Sequence, residues 1–378
     1  MNRRLRKIWI CNDLWMDIFP FFDRPQLGLQ LALISPRFDS LVGKHFDGKR
    51  ELTIWRPIEI SKDIGLIGRA KLSVQIGDKL VGFPLPDYPL PNKIRFTDLW
   101  IIYIDHSVIK FLRSNKHIWD RNGTKLDLSV YLLDETEIND EQIIWDVLAR
   151  QIWPIFATNT RYLILKDSHH LGFLRRFISP TFLTDLDQLH SIDAGVLLSY
   201  GIADDGPNAI TDGQALSKWL HSPRKDGQPK QLRCCAYLDP LNIKWVNNFK
   251  KTFLCATSSA SYEIFFEFCM SKTTTPIVEP FELVNERTNE KLTMMDKGEA
   301  HFVPICRTFR WIMQRCPIVG ERAAAAAVQW ENGGGFNWDD DTLNNNVHFN
   351  LWTNNDCIGP LSPPAENENA SQSEEKGV

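Results

Sequence analysis

Three groups of residues carry side chains suited to catalysis or metal binding: His169-His170, Cys234-Cys235 and Asp339-Asp340-Asp341. Adjacent histidines point in different directions in most conformations, and no further ligand follows His170 at the spacing of a metal site, so this pair reads as part of a solvated loop. Consecutive residues of a strand face opposite sides, so the two cysteines read as one core thiol and one partly covered thiol rather than a redox pair. The three aspartates lack the glycine and glutamate of a calcium loop and read as a solvated acidic turn. The chain has no glycine-rich phosphate loop, no Gly-x-Ser-x-Gly elbow and no His-Glu-x-x-His, so the strong signatures of nucleotide, acyl-transfer and zinc-hydrolase chemistry are missing. The residues therefore point to a non-catalytic binding protein with no metal and no cofactor.

Composition narrows the partners. The 378 residues are 43% hydrophobic and 11% aromatic, enough for a large core. A formal net charge of -4 leaves no electrostatic footprint for nucleic acid, and Arg3-Arg4-Arg6-Lys7 is too short to change that. Eight cysteines are scattered without paired spacing, which fits a reduced cytosolic or nuclear compartment better than a secreted disulfide scaffold. The sequons at Asn122 and Asn369 matter only in a secreted chain. Asn12, Asp13 and Asp17 interrupt the first apolar run, so neither a signal peptide nor a membrane helix is expected there or elsewhere.

The positioning elements follow from periodicity. Between Ile10 and Phe46 three short helices are expected. Asn12 caps the first, with Leu14, Trp15, Ile18, Phe19 and Phe22 recurring at helical offsets until Pro20 ends or kinks it. Pro25 opens the second, along which Leu27, Leu31 and Ile34 share a stripe, and Ser35 with Pro36 starts the third. Residues 51–93 read as a small β segment, with a hairpin around Gly77-Asp78, ending in a proline-rich connector from Phe83 to Pro91. From 94 to 320 strands alternate with helices. Leu99–Ile104, Leu126–Tyr131, Tyr162–Leu165, Leu189–Ile192, Leu232–Tyr237 and Tyr262–Phe268 are the strands; the helix beginning at Asp140 should stop at Trp153-Pro154. This pattern belongs to a parallel sheet, either doubly wound or arranged as a leucine-rich-repeat-like arc; the arc is favoured. An antiparallel hairpin of Pro280–Val284 with Glu290–Met294, and strand material from His301 to Arg315, closes the fold. Residues 321–358 form a helix and strand extension, and 359–378 a polar tail too poor in apolar residues to order itself.

Asp13, Leu14, Ile18-Phe19 and the run Ile34-Ser35-Pro36-Arg37-Phe38 occur at the spacing of an F-box. That module hooks substrate adaptors onto the linker subunit of SCF-type cullin–RING ubiquitin ligases. Ile10-Cys11 stands where the family has Leu-Pro, Ser35 where it has Cys, and Phe38 where it has Trp. Further on, Gln214-Ala215-Leu216-x-Lys218-Trp219-Leu220-His221-x-Pro223, Pro280-Phe281-Glu282-Leu283 and Arg315-Cys316-Pro317-Ile318 resemble segments of the F-box proteins expanded in nematodes. The resemblance implies an α/β fold in which an N-terminal three-helix F-box-like module (1–50) precedes an irregular leucine-rich-repeat-like strand–helix domain closed by antiparallel strands. It implies a linker subunit and cullin scaffold as partners, a protein substrate, and linker contacts from Leu14, Ile18, Phe19, Leu27 and Ile34, with Phe38 packing the helices together. The alternative is a repeat-like interaction module with no ligase role. Of the thirteen tryptophans, Trp100, Trp145, Trp153, Trp219 and Trp245 lie on apolar stripes and read as core, whereas Trp330, Trp338 and Trp352 lie among polar residues and are the candidates for a recognition surface.

Overall fold

The computed structural model describes residues 10–46, 52–63, 69–76, 78–91, 94–120, 123–131, 138–166, 168–194, 212–237, 244–270, 279–303, 306–318, 346–352 and 357–362. It is a mixed α/β structure: short N-terminal helices, then a thirteen-stranded mixed sheet with interspersed helices.

The N-terminal helices form where the punctuation dictates. Asn12–Ile18 runs into a tight 3-10 turn at Phe19–Phe21 that contains Pro20. Residues 24–34 begin with a capping box, in which Asp23 and Gln26 satisfy each other's backbone donors, a reciprocal arrangement that fixes the helix start. Ser35 caps Pro36–His45 by accepting from the Phe38 amide at 3.4 Å. The expected Asn12 cap is not formed. Cys11 holds that position, and the Asn12 carboxamide oxygen instead accepts from Arg37 Nε and Nη2 at 3.1 and 2.8 Å.

The strands are β1 (Leu52–Ile54), β2 (Ile58–Lys62), β3 (Ala70–Ile76), β4 (Lys79–Pro84), β5 (Ile94–Phe96), β6 (Asp98–Ile101), β7 (Thr124–Tyr131), β8 (Thr160–Ile164), β9 (Ser191–Asp193), β10 (Lys230–Tyr237), β11 (Tyr262–Met270), β12 (Phe281–Asn285), β13 (Glu290–Val303), β14 (Cys306–Pro317) and β15 (Asn346–Trp352). β1 and β5 pair in a small separate sheet. The large sheet has the order β12-β13-β14-β11-β10-β9-β8-β7-β15-β6-β2-β3-β4. Its middle, from β2 to β11, is parallel, and hairpins flank it on both sides. With β15 set aside, β7 to β11 each lie beside their predecessor, so the order runs one way from β6 to β11. Parallel crossovers of one hand stepping one way carry their helices to one face, and between β6 and β11 the order does not reverse as it does where a doubly wound sheet opens its ligand crevice.

The register makes the core visible as a line. Phe281, Met294, Met313, Ile264, Leu232, Ile192, Leu163, Leu126, Val347, Leu99, Ile58, Val74 and Val81 are successive partners across all thirteen strands. Every member between the two edges is buried, while Phe281 and Val81 at the edges are only partly covered. Helices close over this face. Phe156 meets Phe349 at 6.1 Å and His221 meets Tyr262 at 5.2 Å. Because strand side chains alternate, the neighbouring row lies on the other face: Glu59, Trp100, His348, Asp127, Ile164, Asp193, Arg233, Phe265, Ile312 and Met295.

Several expectations need correction. The proline-rich stretch does not separate two bodies, because β2 pairs with β6 across it and draws β3 and β4 into the main sheet with it. Trp153-Pro154 does not stop the helix that starts at Ile138. A π-helical turn, Leu148–Ile152, absorbs the change, and Pro154 then sits in the first turn of Trp153–Phe156, where it displaces no intrahelical donor. His170 is not in a solvated loop but in the helix Ser168–Phe177; it is buried, with Nε2 3.2 Å from the Val130 carbonyl and its ring against Trp145. Trp100 is not core: it lies half-buried on the polar face. The largest departure is β15. This C-terminal strand inserts between β6 and β7, parallel to both, and the chain after it returns to the same seam, with Cys357 O accepting from Ile104 N at 2.7 Å. Trp330, Trp338 and Asp339–Asp341 lie outside the described residues.

Candidate interaction surfaces

Two surfaces present recognition groups. The first is the N-terminal module. Its inner residues Phe19, Leu27, Leu41 and Val42 belong to the same apolar core as the sheet, and Arg24 Nη1 donates to Thr53 O at 3.1 Å, tying the module to β1. Arg37 ties the third helix to the first through Asn12 and the Ile10 carbonyl, 2.7 Å away. Phe38 packs edge-on against Trp15 at 4.9 Å, as a residue holding the helices together should. Of the five expected linker contacts, Leu14 and Ile34 are 48% and 62% exposed, and Ile18 is half-buried. Phe19 and Leu27 are 0% and 1% exposed: they are interior, because the apolar stripes of the first two helices turn toward the core rather than outward. Phe21, 87% exposed beside Pro20, extends the apolar surface that sequence reasoning had limited to the helices. Between this module and the sheet lies a cleft of about 280 Å³ lined by Arg24, Trp55, Arg56 and Ile76 among others, away from the carboxyl ends of the parallel strands.

The second surface is the polar face of β6, β15, β7 and β8. His348, in the middle of β15, is stacked on Trp100 at 4.5 Å with the ring planes 17° apart. Its Nδ1 lies 3.2 Å from Asp127 Oδ2 and its Nε2 3.4 Å from Asp98 Oδ1. Ser129 Oγ donates to Asp127, Asn346 Nδ2 donates to Asp98 at 3.0 Å, and Lys166 Nζ stands 3.6 Å from Asp127. Lys166 also donates to the Tyr131 hydroxyl at 2.9 Å, and Tyr131 stacks on Trp352 at 4.8 Å. Trp352 is 41% exposed on this face. Burial alone would raise the carboxyl pKa values of Asp98 and Asp127, but the hydrogen bonds from His348 and their other donors hold both below the ordinary value. Burial would lower that of His348, and the two carboxylates raise it instead.

Farther along the same face the balance reverses. Arg233 is shared between Asp193 at 3.6 Å and Glu267 at 3.0 Å, and burial, with neighbouring Glu267 and Asp127, pushes the Asp193 carboxyl up to about 6. Glu263 accepts from the amides of Gln314 and Gln231, at 2.8 and 3.3 Å, and burial raises it as well. Sequence reasoning found Trp352 but missed its neighbours. The run Asn346-Val347-His348-Phe349-Asn350-Leu351-Trp352 alternates polar and apolar residues with the period of a strand, an unused signal that puts His348 and Trp352 on one face. What no local pattern gives is that Asp98 and Asp127 flank them.

Among the described residues no group of three or more His, Cys, Asp or Glu is arranged to hold a metal ion, and no helix is long and apolar enough to cross a membrane. Compared with family models, curated proteins and solved structures, the chain matches none.

Proposed function

We propose that this chain is a substrate-recognition adaptor of an SCF-type ubiquitin ligase, docking to the linker subunit through an F-box-like N-terminal module and presenting a protein substrate from the sheet domain. The observation that carries the reading is the division of the N-terminal helices: Phe19 and Leu27 are spent on the core while Leu14, Phe21 and Ile34 stay at the surface. These three apolar side chains are available for a partner to cover. The resemblance of Asp13-Leu14, Ile18-Phe19 and Ile34–Phe38 to an F-box supplies the partner: the linker subunit, with the cullin scaffold behind it. The one-way stepping of β6 to β11 supports reading the larger domain as an irregular leucine-rich-repeat-like arc, whose polar face offers the substrate surface. Such an adaptor acts by proximity, holding a substrate lysine near the charged ubiquitin carrier, and needs no catalytic side chain of its own.

The test is co-purification of linker paralogues with the full chain and with Leu14→Glu/Ile34→Glu. Capture by the parent chain and loss in the variant support the reading. Capture by neither leaves the interaction module without a ligase role as the better account.

A further inference from the structure

His348 has a carboxylate at each ring nitrogen: Asp127 of β7 at Nδ1, 3.2 Å away, and Asp98 of β6 at Nε2, 3.4 Å away. A neutral imidazole has one N–H and one lone pair, so in that form one of the two contacts sets a lone pair against a carboxylate oxygen. Only the imidazolium donates to both. Trp100 stacked on the same ring favours the cation again, through the face of the indole. The strand carrying this residue is also the one that reaches its place from farthest along the chain. β6 and β7 are consecutive among the strands of the sheet, and β15 enters between them from the C-terminal end of the fold.

From this geometry we infer that β15 is a proton-controlled latch, seated between β6 and β7 while His348 is an imidazolium and loosened when it loses its proton. The charged groups facing the clamp are Asp98 from β6, Asp127 and Lys125 from β7, Lys166 beyond β8, and Glu59 of β2, the register partner of Trp100. Asp193 of β9 acts on the clamp through Asp127. Lys166 and Ser129 still hold Asp127 after His348 becomes neutral, and Asn346 still holds Asp98. Loss of the proton thus takes from β15 one of the two charge-assisted contacts of His348, while the Asn346 contact and the backbone ladder remain. Loosening β15 also lifts Trp352 from Tyr131 and removes that aromatic pair from the polar face. The direction follows from the raised His348 value: the clamp is complete below the ordinary 6.5 and is lost as pH rises through the elevated value. Protonation of Asp98 and Asp127, both held low, breaks it only in strong acid.

Hydrogen exchange of the full chain, corrected for intrinsic rates and read on β15 against β8, tests the latch. Between about pH 6 and about pH 9, protection of β15 should fall by about tenfold or more relative to β8, the equivalent of one charge-assisted hydrogen bond. In His348→Gln it should be low and flat throughout. A flat wild-type profile, or the same pH dependence in both proteins, overturns the inference. Should the variant fold poorly, the wild-type His348 Cε1 proton resonance decides: a midpoint above 6.5 that tracks β15 protection supports the latch, and one at or below 6.5 overturns it.

Discussion

Arg315 donates from Nε and Nη2 to a single carboxylate oxygen of Glu290, at 3.0 and 2.6 Å, with both side chains 1% exposed. Nη2 also reaches Ser258 O at 2.7 Å, and the other Glu290 oxygen accepts from the Ala260 amide at 2.8 Å. The pair joins β13 to β14 and both to the loop before β11, so it locks the antiparallel closing strands onto the parallel ones. Arg315→Met leaves a buried carboxylate without its cation and should cost about 3–5 kcal/mol in urea unfolding. Adding Glu290→Gln, which keeps an acceptor for Ala260, should restore part of that loss. A single variant as stable as the parent would contradict this role.

Asp193 points the opposite way. Its carboxyl is pushed up from 3.8 to about 6, so the folded state binds its proton more tightly than the unfolded chain does. The stability tied to that proton is present in full below 3.8 and is lost as pH rises through about 6. Asp193→Asn should therefore leave stability unchanged at low pH and raise it at neutral pH, with the gap between the two values capping the gain at about 3 kcal/mol. Thermal unfolding of both proteins across that range is the check, and a variant that is less stable at neutral pH shows that Arg233 needs both its acidic partners.

The apolar row gives a position-dependent prediction. Leu163 is fully buried at the centre of the row, so Leu163→Ala should cost about 2–5 kcal/mol, through lost transfer energy and the cavity left behind. Val81 is only partly covered on the edge strand β4, so Val81→Ala should cost under about 1 kcal/mol. Equal losses in chemical denaturation would contradict the register.

In the N-terminal module, Phe19→Ala should lower stability by about 3–5 kcal/mol because the ring is wholly interior. Leu14→Glu/Ile34→Glu should stay within about 0.5 kcal/mol of the parent per site, since both side chains already face water. Circular dichroism melts separate the two outcomes.

The strands and most helices were legible because their signals are local. Leu126–Tyr131 alternates apolar and polar residues, Tyr262–Phe268 is an aromatic-rich run, and Ser35-Pro36 marks a helix start that forms as read. What escaped depends on partners remote in sequence. Asn346 pairs with Asp98 across 248 residues, so nothing near β15 announces its place between β6 and β7. Of the five F-box positions expected to meet a linker, Phe19 and Leu27 turn inward. Helical spacing names the apolar face of each helix, but not which side the rest of the chain will cover. Trp100 was placed in the core for the same reason, its strand being apolar on both faces in sequence while only Leu99 and Ile101 face the helices.

The central claim, docking through the N-terminal module, is tested most directly by calorimetric titration of purified linker subunit into the full chain and into Leu14→Glu/Ile34→Glu. The adaptor reading predicts micromolar or tighter binding to at least one linker paralogue by the parent and a loss of about a hundredfold or more in the variant, as expected when two interface anchors are replaced by charges. Absence of binding by the parent to every linker paralogue, or equal binding by both proteins, would contradict it.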